Sequence, residues 1–203
     1  LGQQFSLTSA DKFQLGAYRA DPAGPAKGGI VVIQEIFGVN KDIRAMTDAW
    51  AANGYAAIAP DLFWRLKPGV ELDAHIPDEF QEGLDLLQKF NADKSVEDLA
   101  ASIAALRSRG CAKVGVVGYC LGGRLAFLCA TRTDSDATVG YYGVGLDNLL
   151  GERQNISKPL LLHIATRDKF SPPEAQAKVC AALKDNPLVT IYGYDADHAF
   201  ARG

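Results

Sequence analysis

Short apolar runs separated by helical stretches constrain the fold of this chain more than any other feature. Ile30–Gln34, Tyr55–Ala59, Lys113–Gly118, Thr138–Tyr142, Leu160–Ala165 and Leu188–Tyr194 each have the length of a strand and little polar alternation. A strand that is apolar along its length is buried on both faces, as in a parallel sheet covered by helices. Phe13–Arg19 predicts an earlier, more exposed strand. Between the runs, Ile43, Met46, Trp50 and Ala51 keep helical spacing, and Val96, Leu99, Ala100, Ile103 and Leu106 form a cleaner stripe. Ser95 is the expected cap of that second helix and Gly110 its expected end. Ser171-Pro172-Pro173-Glu174 reads as a capping box, and Pro77–Phe90 as a further helix. This alternation predicts an α/β fold: one domain over the 203 residues, with a mainly parallel twisted sheet and helices on both faces. Ligands bind such sheets at the carboxyl ends of the strands, so the residues just after each strand are the candidates for function.

One such position stands out. Gly118-Tyr119-Cys120-Leu121-Gly122-Gly123 follows the strand Lys113–Val117 and opens a helix through Leu125 and Leu128. G-x-C-x-G-G is the cysteine form of the nucleophile elbow G-x-S-x-G. The nucleophile stands on a sharp, strained turn, and the flanking glycines leave room for it. The Leu121 N–H would point at a reacting carbonyl from a helix N-terminus. A phosphate loop is the wrong reading, because G-x-G-x-x-G spacing and a following Gly-Lys-Ser/Thr are both absent. An ordinary buried cysteine is the plainer alternative.

A cysteine nucleophile needs a base. His75 lies in a polar loop and reads as a solvated surface residue. His163, inside Leu160–Ala165, reads as a core histidine satisfied by its neighbours. His198 follows the last strand, where the order nucleophile, acid, histidine requires it. Asp168 follows Leu160–Ala165 and is the candidate acid, with Asp195 and Asp197 as competitors close to the histidine in sequence. Glu35 ends the strand Ile30–Gln34 and puts a carboxylate at the mouth of the sheet. The Ile36 N–H is the candidate second oxyanion donor beside Leu121.

The segments Gln34-Glu35-Ile36-Phe37-Gly38-Val39-Asn40, Gly54-Tyr55-Ala56-Ala57, Ala59-Pro60-Asp61-Leu62, Gly118 to Gly123, Gly140-Tyr141-Tyr142-Gly143 and His198-Ala199-Phe200-Ala201-Arg202 together resemble the dienelactone hydrolase (carboxymethylenebutenolidase) family. The resemblance implies an α/β-hydrolase fold with a Cys120–His198–Asp168 triad. It implies that Glu35 contacts the Cys120 thiol and helps remove its proton when substrate arrives, and that the ester or lactone opens through a thioester. Arg202 matches the family's carboxylate-binding arginine. On the helix Pro77–Phe90, Phe80 and Leu84 stand where dienelactone-hydrolysing members carry an arginine and a tyrosine, with Glu79, Glu82 and Asp85 nearby. The resemblance also implies a final helix after Gly203.

The remaining features exclude rather than assign. The net charge is −3 with 22% charged residues, so no basic excess calls for nucleic acid. No apolar run approaches the ~18 residues of a membrane span, and Leu1–Phe5 lacks the basic-then-apolar pattern of a leader. Cysteines 111, 120, 129 and 180 form no C-x-x-C pair, which argues against structural zinc, and nothing else suggests disulfides. Asn155-Ile156-Ser157 is discounted as a glycosylation triplet. The expectation is a cytoplasmic monomer acting on a small-molecule ester or lactone without metal or cofactor. The competing functions are a general carboxylesterase or thioesterase on the same fold, and a non-catalytic thiol or binding protein.

Overall fold

The computed structural model describes residues 2–202. Leu1 and Gly203 lie outside them, and with these termini the expectations about a leader and a following helix. Eight strands form one sheet: β1 (Gln3–Thr8), β2 (Gln14–Ala20), β3 (Gly29–Ile33), β4 (Ala56–Pro60), β5 (Val114–Tyr119), β6 (Ala137–Tyr141), β7 (Leu160–Ala165) and β8 (Val189–Tyr194). Their order is β1-β2-β4-β3-β5-β6-β7-β8. β1–β2 and β2–β4 pair antiparallel, and every other pair is parallel. The helices are α1 (Lys41–Ala52), α2 (Pro77–Lys89), α3 (Ala92–Ser108), α4 (Leu121–Arg132) and α5 (Pro173–Leu183), with a 3-10 helix at Leu146–Asn155.

Alternation within a strand explains the two covered faces. Val31 and Ile33 of β3, with Val114 and Val116 of β5, pack beneath Leu99, Ile103 and Leu106 of α3 and Leu125 and Leu128 of α4. Val32 and Val117 turn the other way, toward Ile43 of α1. Leu160 and Leu162 of β7 meet Val179 and Leu183 of α5 and Phe127 of α4. Purely apolar runs are needed where both faces are covered, which is why these strands were legible.

Four expectations change. β1 is an additional strand, polar enough in sequence to hide. Its pairing covers β2, whose residues 15–18 are buried rather than exposed. α3 begins a turn before Ser95: the Asn91 side chain caps it by accepting from the Lys94 N–H at 3.0 Å, and the Ser95 hydroxyl donates back to the Asn91 carbonyl. Ser171 makes no capping bond to α5 among the described residues. Pro172 takes the cap position of α5, and the Gln176 side-chain amide donates to the Ser171 and Ala165 carbonyls instead. His163 is half-buried near the sheet edge, its ring stacked on Tyr141 at 4.2 Å and its Nδ1 2.8 Å from the Tyr194 hydroxyl. His75 is exposed, as expected, and α3 gives way to Gly110 in a left-handed conformation (φ 93°).

Candidate active site

The elbow is built by close backbone approach. Cys120 adopts φ 55° and ψ −112° between β5 and α4, a conformation that costs a residue with a Cβ of order 1–3 kcal/mol. Its N–H donates to the Tyr141 carbonyl at 3.0 Å, which anchors the turn to β6. A Cβ on Gly118 would lie 1.9 Å from the Gly122 carbonyl oxygen, and one on Gly122 would lie 2.5 Å from the Ile33 carbonyl oxygen at the end of β3. Only glycine lets α4 start this near the sheet. Tyr142 (φ 38°) and Ala199 (φ 63°) carry two further left-handed conformations beside the same cleft.

His198 and Asp168 come together from the loops after β8 and β7. Arg167 N–H donates to the Ala196 carbonyl at 3.1 Å and ties the two loops. His198 Nδ1 lies 2.7 Å from Asp168 Oδ2, and Asp168 Oδ1 accepts the Phe170 N–H at 2.8 Å, which orients the carboxylate. Asp195 and Asp197 instead face the Arg167 guanidinium at 2.6 and 3.4 Å on the surface. His198 Nε2 has no protein partner among the described residues, and its ring, wedged edge-on against Tyr142 and Phe170, faces the same cavity as Cys120.

That cavity measures about 240 Å³. Ile36 and Leu121 both line it, and among the described residues neither N–H donates to a backbone oxygen outside the regular helices and strands. One wall is the apolar stripe of α2, with Phe80, Leu84 and Leu87 at helical spacing. Glu82 reaches Lys67 at 2.5 Å and Asp85 takes the Gln81 amide at 2.9 Å, so neither of these acidic neighbours enters the cavity.

Glu35 is buried beneath the elbow. Arg202 donates to its Oε2 through both Nε and Nη2 at 2.9 Å, while the guanidinium rests 5.1 Å from the Phe37 ring centroid. Burial raises the Glu35 carboxyl above its ordinary range, and the Arg202 charge partly offsets this. The carboxylate thus bonds Arg202 rather than the thiol, but it acts on the sulfur through space. Burial, and then the Glu35 charge, push the Cys120 thiol up to about 12, against the Leu121 N–H that lies on the sulfur. Among the described residues, Glu35 Oε1 and the Tyr142 hydroxyl are buried without hydrogen-bond partners.

Tyr142, Phe170 and Arg124 were given no role in the sequence reading. Tyr142 follows β6 directly, so the strand-end rule points to it. Arg124 lies in the first turn of α4, four residues after Cys120, and lines the same cavity.

A model of the dienelactone hydrolase family matches residues 15–203. A protein of Azospirillum brasilense provisionally assigned as a carboxymethylenebutenolidase is 48% identical over 97% of this chain and 87% of its own length. The carboxymethylenebutenolidase of Pseudomonas putida is 39% identical over 100% of this chain and 87% of its own. A crystal structure from Klebsiella pneumoniae, provisionally assigned as a dienelactone hydrolase, superposes with TM-score 0.82 at 29% identity, covering 98% of this chain and 88% of that one. With matches spanning the sheet, the elbow and both loops that carry the histidine and the acid, the chain belongs to the dienelactone hydrolase family.

Proposed function

We propose that this protein hydrolyses an ester or lactone bearing a carboxylate, with Cys120 as nucleophile. The observation that carries the reading is a thiol on a strained elbow, in one cavity with a histidine already bonded to a buried aspartate and with Ile36 and Leu121, the Leu121 N–H lying on the sulfur itself.

A thiol held near 12 is almost wholly protonated at neutral pH. The resting sulfur is therefore a weak nucleophile, and its activation has to come with substrate binding. A substrate carboxylate can release it. Drawn to Arg202, it displaces Glu35, whose freed carboxylate takes the Cys120 proton. Activation is then coupled to binding, and the sulfur is protected from oxidation between turnovers.

The thiolate attacks the carbonyl carbon, and the carbonyl oxygen takes up negative charge facing the Ile36 and Leu121 amides. The C–O bond breaks to leave a thioester on Cys120, and the departing oxygen takes the proton that Glu35 had removed from the thiol. His198, its Nδ1–H held by Asp168, removes a proton from water through Nε2. The resulting hydroxide attacks the thioester carbonyl, the C–S bond breaks to release the acid, and the departing sulfur takes the proton from His198.

A general carboxylesterase would need no ion pair beneath the nucleophile, and the Glu35–Arg202 pair favours the carboxylate-dependent reading. Hydrolysis of 4-nitrophenyl butyrate and of mono(4-nitrophenyl) glutarate by the Cys120→Ala variant tests the proposal. The unaltered protein should turn over the anionic glutarate ester faster than the neutral butyrate, and the variant should lose that activity while its melting temperature holds. Undiminished turnover would exclude the thiol mechanism.

A further inference from the structure

Nearly every arginine among the described residues is committed. Arg19, Arg44, Arg65, Arg107, Arg109, Arg132, Arg167 and Arg202 each face a carboxylate within 4 Å. Arg153 donates to the Leu150 carbonyl at 3.0 Å. Arg124 makes no ion pair and no side-chain hydrogen bond among the described residues, yet it lines the cavity that holds Cys120 and His198. It is half-buried, and its guanidinium lies against the turn at Gly145, where an added Cβ would come within 3.0 Å of Nη1.

Five N–H donors left unpaired beside an apolar cavity call for an acceptor, and a planar guanidinium matches a carboxylate best. Arg202 differs in kind. An incoming anion must displace Glu35 there, so one carboxylate is exchanged for another and little net affinity results. At Arg124 nothing is displaced. The position also fits: Arg124 N–H bonds the Cys120 carbonyl at 3.1 Å, which places Arg124 in the first turn after the elbow, and both residues line the one cavity.

We propose that Arg124 is a second anion-binding point of this site, and that the substrates carry an anionic group able to reach it. On this assignment Arg124 supplies affinity and the Arg202–Glu35 pair supplies the trigger. It deepens the hydrolase reading above and rests on it for the word substrate, whereas the contact itself can be judged without turnover.

The experiment is calorimetric binding of glutarate and its uncharged counterpart glutaramide to the unaltered protein, Arg124→Gln and Arg124→Lys. Removing Arg124 breaks no ion pair, so the variants should fold. Glutarate should bind the unaltered protein more tightly than glutaramide. Arg124→Gln should weaken glutarate tenfold or more, Arg124→Lys should recover part of the loss, and glutaramide should change by less than half as much on a logarithmic scale. The proposal is overturned if the unaltered protein shows no preference for glutarate, if Arg124→Gln binds it equally well, or if both ligands lose affinity alike. Absence of 4-nitrophenyl ester turnover in the unaltered protein would sink the hydrolase reading instead, and leave the binding contrast to judge Arg124.

Discussion

Adding one methyl group at Gly122 tests how the elbow works. Its Cβ would meet the Ile33 carbonyl oxygen at 2.5 Å, the Gln34 carbonyl oxygen at 2.7 Å and the Ile33 carbonyl carbon at 2.9 Å. All are backbone atoms at the end of β3, so no side chain can swing aside and α4 must move off the sheet. Overpacking a tight site costs about 1–3 kcal/mol, and a backbone clash belongs at the upper end. For a chain of this size about 3 kcal/mol lowers the melting temperature by about 6–12 °C. The same shift separates the Leu121 amide from the Ile36 amide, and losing one oxyanion donor typically costs about 10²–10³ in kcat. Gly151→Ala is the control, because nothing lies within 4 Å of its added Cβ and its φ is ordinary. It should leave activity intact and raise the melting temperature slightly. Differential scanning fluorimetry and ester turnover on both variants give the answer. A Gly122→Ala protein that melts and turns over like the unaltered one would refute the close-approach argument.

Other perturbations probe other parts of the site. Asp168→Asn leaves His198 without the acceptor that fixes its tautomer, so kcat should fall by about 10³–10⁴ with KM little changed; an intact kcat would remove Asp168 from the triad. Glu35→Gln removes a charge that raises the thiol, so alkylation of Cys120 by iodoacetamide should begin at lower pH while hydrolysis of an anionic ester falls. Alkylation unchanged or shifted upward would contradict the coupling. Asp61 is buried and accepts the Phe63 and Gly69 N–H groups at 3.0 and 2.9 Å, and burial raises its carboxyl from 3.8 to about 6. The folded state therefore holds that proton more tightly than the unfolded chain. Stability from this group is full below about pH 4 and is lost as pH rises to about 6, a change of about 3 kcal/mol. Urea midpoints across that window should show the slope, and Asp61→Asn should abolish it.

The central strands and the elbow were legible because both depend on rigid local rules. A strand covered on two faces must be apolar along its length, and a nucleophile turn tolerates few residues beside it. β1 was hidden because it is an edge strand with exposed Gln3, Gln4, Ser6 and Thr8, a pattern that a solvated loop shares. The caps were misjudged at Ser95 and Ser171 because a second good cap, Asn91, or a proline start stood next to each. Strand position favours Asp168 over Asp195 and Asp197, and in the structure Asp168 bonds His198 while Arg167 holds the other two. The Glu35–Arg202 pair spans most of the chain's length and left no local trace. Arg124 and Tyr142 were visible as letters but not as neighbours of the sulfur.

The most direct test of the covalent mechanism is to mix the protein with an aryl ester, quench in acid within the first turnovers, and locate the acyl group by peptide mass spectrometry. The account predicts the acyl mass on Cys120, accumulating further in His198→Gln, where water activation is impaired. An acyl group on another residue, or steady turnover with no acylated species and a Cys120→Ala variant that remains active, would contradict it.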